Sequence, residues 1–83
     1  MQSTEDSIRE FILREFLPDE DPSELTASTE LISTGILDSL ATLKLVTFLE
    51  ERFGIAVAAH EADEEHLNTI ADITKLVQTK LGS

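Results

Sequence analysis

Apolar residues recur every three to four positions in three stretches of the chain, the signature of amphipathic helices. In the first stretch Ile8, Phe11, Ile12 and Phe16 follow the polar and acidic start Ser3-Thr4-Glu5-Asp6. The pattern predicts a helix over about 4–17, stopped by Pro18, which also biases Leu17 away from helical dihedrals. In the second, Leu40, Leu43, Val46, Leu49 and Phe53 form one face, widened by Leu45 and Phe48. This predicts a helix over about 39–53, with Gly54 placed to end it. In the third, Ile70, Ile73, Leu76, Val77 and Leu81 predict a helix over about 70–81, ended by Gly82. Thr69, three residues before Asp72, has the spacing of a capping box there.

Between these stretches the pattern breaks. Residues 18–37 make a long connection, which Leu25, Leu31, Ile32, Ile36 and Leu37 can tether across a core. Ile55 to Ala59 alternates like a strand, but no second segment offers a partner, so an extended link is expected. The acidic stretch that follows suits a short helix over about 61–67. The expected fold is all-α: a small four-helix bundle of three main helices and one short one, in a single domain over 1–83.

Charge narrows the function classes. The 83 residues include 17 acidic and 6 basic ones, a net charge of −11. Nucleic acid and anionic membrane surfaces need clustered Lys and Arg, so neither is an expected partner. Basic protein surfaces are. There is no Cys, hence no disulfide, thiolate metal site or cysteine nucleophile. No apolar run approaches the roughly 20 residues of a membrane-spanning helix. The first residues lack the basic and apolar regions of a signal peptide, so a cytoplasmic location is expected by default, and a monomer is expected as well.

Candidate chemistry is sparse. Nucleophilic catalysis at Ser39 would need a histidine base and an oxyanion hole, and the only histidines are His60 and His66. The acidic run His60, Glu61, Asp63, Glu64, Glu65, His66 offers metal-ligand types, but the two histidines do not share a helical face. Asp19, Asp21, Ser23 and Glu30 match the oxygen positions of a calcium loop, yet Glu24 stands where its sharp turn needs glycine. These point to no enzyme and no bound metal.

The remaining feature is Gly35-Ile36-Leu37-Asp38-Ser39-Leu40, at the entrance to the second helix. Asp and Ser are both good N-caps, and capping alone is one reading of the pair. The other is a modification site, because a phosphate ester there would lie in the positive field of a helix N-terminus.

The stretch resembles the attachment region of acyl carrier proteins, in which Asp-Ser-Leu opens the second helix of a four-helix bundle. The likeness covers almost the whole chain. It includes the long first loop, Glu50-Glu51-Arg52-Phe53-Gly54-Ile55 at the end of the second helix, and Thr69-Ile70-Ala71-Asp72-Ile73 in the last. The resemblance implies that Ser39 accepts 4′-phosphopantetheine from coenzyme A through a Mg²⁺-dependent phosphopantetheinyl transferase. Asp38 would cap the helix and serve transferase recognition. Leu40, half buried, would serve partner recognition. Acyl or aminoacyl cargo would ride as a thioester on the arm. Adenylating ligases, acyltransferases or synthases with basic docking surfaces would be the further partners.

Three departures bear on the subtype, one of them the segment between Phe53 and Thr69, which is slightly long for the fatty-acid type. Fatty-acid carriers usually read Leu-Gly-x-Asp-Ser-Leu and have a strongly acidic second helix; here the stretch is Thr34-Gly35-Ile36-Leu37-Asp38-Ser39-Leu40, with Lys44 and no acid before Glu50. That is more similar to discrete D-alanyl, other aminoacyl or polyketide-loading carriers, with fatty-acid synthesis the alternative within the family. Outside it stands an unmodified acidic helical module that binds a basic protein.

Overall fold

The computed structural model describes residues 3–82. Met1, Gln2 and Ser83, the ends of the expected 1–83 domain, lie outside the described residues. Helix α1 spans Thr4–Phe16. Ser3 caps it, its Oγ accepting the Asp6 N–H at 3.1 Å. Glu5 and Asp6 sit in the first turn and hold Arg9 at 2.8 and 3.0 Å. Leu17 leaves the helix at φ −134°, one residue earlier than expected, as its place before Pro18 requires.

Helix α2 spans Ser39–Phe53 between the Asp38 cap and Gly54. Gly54 has φ 67°, the left-handed conformation that ends many helices and that glycine adopts without strain. The buried seam of α2 differs from the face expected. Leu40 and Leu43 are 72% and 62% exposed, whereas Ala41, Leu45 and Leu49 are buried. Leu37, just ahead of the helix, is buried too, so the seam runs at four-residue steps from 37 to 49. Leu40 is therefore presented to solvent and not half buried. The expected face paired leucines by three-residue steps; burying Leu37 rotates the helix onto the other set.

The link after α2 is extended, and there is no strand among the described residues. Ile55 and Val57 pack against the core, and the Val57 N–H donates to Glu50 Oε2 at 2.9 Å. The short helix expected over 61–67 is two pieces. Ala59–Glu61 forms a 3₁₀ turn, and α3 covers only Glu64–Leu67. Ala62 and Asp63 between them are non-helical. The Glu61 carboxylate accepts from the Ala58 N–H at 2.9 Å and from Lys80 at 2.6 Å, which fixes the turn. Asp63 then starts α3 afresh as its N-cap.

Helix α4 spans Ile70–Gly82, with Thr69 Oγ1 accepting the Asp72 N–H at 3.0 Å. Its Ile70, Ile73, Leu76 and Val77 meet Ile8, Phe11 and Ile12 of α1 in a core that α2 completes. Phe11 stacks on Phe48 at 4.0 Å and joins α1 to α2. The long loop is drawn onto this core by Leu25, Leu31 and Leu37, all buried. Its Ala27 carbonyl accepts the Ala71 N–H at 3.0 Å.

Candidate functional site

The loop delivers Asp38 in an extended conformation at the head of α2. Its Oδ1 accepts the Ala41 N–H and its carbonyl the Thr42 N–H, both at 2.8 Å. Asp38 is thus the cap, and Ser39 is the first helical residue. Ser39 is exposed. Upstream, Gly35 at φ 83° closes a turn with its N–H on the Ile32 carbonyl at 3.0 Å. Losing the Asp38 cap costs about 1 kcal/mol. Asp38→Ala should accordingly melt about 4–8 °C lower and Asp38→Asn nearly unchanged, read by circular dichroism.

Ser39 opens on a groove of about 800 Å³. Ile32 and Leu37 of the loop, and Leu43 and Val46 of α2, line one side. Val57, Ala59, Ala62, Asp63 and Glu64 line the other. The lining is more apolar than polar, and Asp38, Asp63 and Glu64 are its charged residues. Neither histidine lines it, so the Ser-His arrangement of a hydrolase is not assembled here. An exposed hydroxyl at the N-terminus of a 15-residue helix suits a phosphodiester, because the first turn favours an anion. The groove beside it gives a tethered arm somewhere to lie. The residues fit a serine-linked phosphate with a long arm.

In the other candidate clusters, several side chains hold the local structure. Asp21 Oδ1 accepts the Ser23 N–H and hydroxyl at 2.9 Å each, which closes a turn around Pro22–Glu24 and holds its carboxyl below the usual range. Ligand atoms of Asp63, Glu65 and His66 converge within 4.8 Å. Two of them already serve α3: Asp63 Oδ1 accepts the His66 N–H at 3.0 Å and pairs with His66 Nδ1 at 2.7 Å.

Residues 10–77 match the family described as the phosphopantetheine attachment site. The chain belongs to this family of carrier proteins. The carrier is 35% identical over 65 residues to the acyl carrier protein of Phenylobacterium zucineum (strain HLK1), covering 78% of this chain and 80% of that one. It is 38% identical over 76 residues to the D-alanyl carrier protein of Streptococcus pyogenes serotype M1, covering 92% and 89%. The solved structure of KstB-PCP(apo) superposes with a TM-score of 0.67 at 31% identity, over 88% of the carrier and 80% of that chain. The family's cofactor is 4′-phosphopantetheine, bound covalently to a serine. Carrier proteins are typically substrates of transferases and biosynthetic enzymes and not catalysts themselves. No helix among the described residues is long and apolar enough to cross a membrane.

The cap of α3, in the carrier's groove wall, should depend on pH. The hydrogen bond from His66 holds the Asp63 carboxyl below its ordinary 3.8. The same bond, helped by the charges of Asp63, Glu65 and Glu61, raises His66 above 6.5. The raised His66 stabilises α3 below its unfolded value and stops doing so as pH rises through the folded one. The lowered Asp63 stabilises above its unfolded value and stops as pH falls through the folded one. The cap should therefore be firmest between about pH 4 and 6.5. An NMR titration should show the α3 amides shifting together with the His66 ring, and His66→Ala should remove the upper transition.

Sequence reasoning reached Asp38 and Ser39 but missed the groove's second wall. Asp63 and Glu64 sit in a run that reads as a solvated acidic surface. It also placed Leu43 in the core. The signal for its exposure was present in the four-residue spacing of Leu37, Ala41, Leu45 and Leu49.

Proposed function

We propose that the chain is a discrete carrier in which Ser39 bears the 4′-phosphopantetheine arm and acyl or aminoacyl cargo travels on it as a thioester. The observation that carries this reading is the division of labour at the head of α2: Asp38 takes the capping role and leaves Ser39 exposed beside the groove. The terminal thiol of the arm supplies the thioester chemistry that a chain without Cys lacks. Asp38 presents Ser39 to the transferase. Leu40 and Leu43, exposed on the same stretch of α2, offer apolar contacts to partner enzymes.

The cargo is assigned to specialised biosynthesis, of aminoacyl or polyketide type, in preference to fatty-acid synthesis. Lys44 on the exposed start of α2 supports this, as does the likeness to D-alanyl carriers over most of the chain. An adenylating ligase is the loading partner this implies. The decisive experiment is intact mass after incubation with coenzyme A, Mg²⁺ and a broad-specificity phosphopantetheinyl transferase. A gain of one phosphopantetheine supports the reading. No gain, with the transferase active on a control carrier, favours an unmodified acidic module.

A further inference from the structure

Asn68 stands between α3 and α4, and it serves neither helix with its side-chain oxygen. Its Oδ1 accepts the backbone N–H of Ile32 at 2.9 Å and that of Ser33 at 3.0 Å. Its backbone carbonyl accepts the Leu31 N–H at 2.6 Å. Three consecutive loop N–H groups thus end on one residue. The series of bonds continues toward the site. The Leu31 carbonyl accepts the Leu37 N–H at 2.9 Å, and the next residue is the Asp38 cap. Leu31 and Leu37 are both buried, so the ends of this short ring are anchored in the core.

Asn68 also joins the two sides of the groove. Ile32 and Leu37 line one side, and Asp63 and Glu64, at the head of the short helix that Asn68 closes, line the other. The local role of Asn68 as the residue after α3 needs only its backbone: its own N–H donates to the Glu64 carbonyl at 3.1 Å. The side-chain oxygen is free to use both lone pairs on the loop.

We infer that Asn68 is a positioning residue for the modification of Ser39, holding the loop from Leu31 to Leu37, and through it the Asp38–Ser39 entrance to α2, in the geometry a transferase recognises. This rests on the carrier reading above. Ser33 is exposed and Ile32 only partly buried, so water replaces some of the lost bonding when the clasp is removed. The effect falls on loop order more than on the core. A loosened loop is competent for only a fraction of the time, and apparent affinity falls by that fraction while the step on bound carrier does not.

The test uses the full chain with coenzyme A, Mg²⁺ and a broad-specificity phosphopantetheinyl transferase, with initial rates read by intact mass. Asn68→Ala should raise the KM for the carrier about tenfold at nearly unchanged kcat. Asn68→Asp keeps an oxygen for both N–H groups and should return KM to within about twofold of wild type. Amide hydrogen exchange on the unmodified wild type gives a readout that no variant's folding affects: Ile32 and Ser33 should exchange more slowly than free peptide. An unchanged KM in Asn68→Ala, equal defects in the Ala and Asp variants, or free-peptide exchange at Ile32 and Ser33 would overturn the inference. A wild type that takes up no phosphopantetheine overturns the carrier reading instead, and the exchange rates still decide whether the clasp holds the loop.

Discussion

Ser39→Ala should take up no phosphopantetheine from coenzyme A and should keep the helicity and melting temperature of the wild type. Both halves of this expected result follow from the head of α2. The cap is made by Asp38 Oδ1 on the Ala41 N–H, which the substitution leaves in place. Ser39 is exposed at the first helical position, where alanine fits without strain and has the higher helix propensity. Stability should therefore change by no more than about 0.5 kcal/mol, and in the favourable direction. The loss of modification should be complete, because Ser39 is the groove-lining residue among those described that pairs an exposed hydroxyl with the first position of α2. Thr34 Oγ1 donates to the Glu30 carbonyl at 2.7 Å, and Thr42 lies a turn further along α2 and is partly buried. Intact mass and circular dichroism on the same sample check both halves. Residual mass gain in Ser39→Ala would place the attachment elsewhere. Loss of helicity would mean that the hydroxyl is structural and that the missing gain says nothing about chemistry.

The candidate site could be picked out in the sequence because local rules agree there. A residue favoured at N-caps, a serine and the start of an apolar period coincide at positions 38–40, and Gly35 permits the turn before them. The three long helices were legible for the same reason, each having a period and, for α1 and α2, a stop signal where the helix ends; α4 runs through Gly82, one residue further than expected. What failed depended on non-local contacts. The rotation of α2 is decided by Leu37, a loop residue ahead of the helix, whose four-residue spacing to Ala41, Leu45 and Leu49 tells only once the loop is packed on the core. The split of the 61–67 segment is decided by Glu61, whose carboxylate is engaged by Lys80 from the far end of the chain. Asn68 received no role from the local pattern, because its bonds to Ile32 and Ser33 cross more than thirty residues of sequence. Local pattern fixes where the long helices begin and end; tertiary partners fix which face turns inward and where the short helix starts.

Leu45→Ala should lose about 3 kcal/mol, whereas Leu43→Ala should lose less than about 0.5 kcal/mol, although the two leucines stand two residues apart on α2. Leu45 is fully buried among α1, α4 and the loop leucines, and Leu43 is 62% exposed. Truncating Leu45 removes its transfer energy and leaves a cavity that rigid neighbours fill only in part. Truncating Leu43 removes a side chain that already faces water. For a chain of 83 residues the total stability is roughly 4–12 kcal/mol, so the first substitution takes a large share of it. The melting temperature should fall by about 12–24 °C for Leu45→Ala and by no more than about 4 °C for Leu43→Ala. Urea titration of both variants checks the pair, with equal m-values showing that the folded states stay comparable. The reverse order, with Leu43→Ala the more damaging, is what the periodic face of Leu40, Leu43 and Val46 would require. It would mean that α2 is rotated in solution, that Leu40 and Leu43 are unavailable to partners, and that the groove beside Ser39 has a different wall.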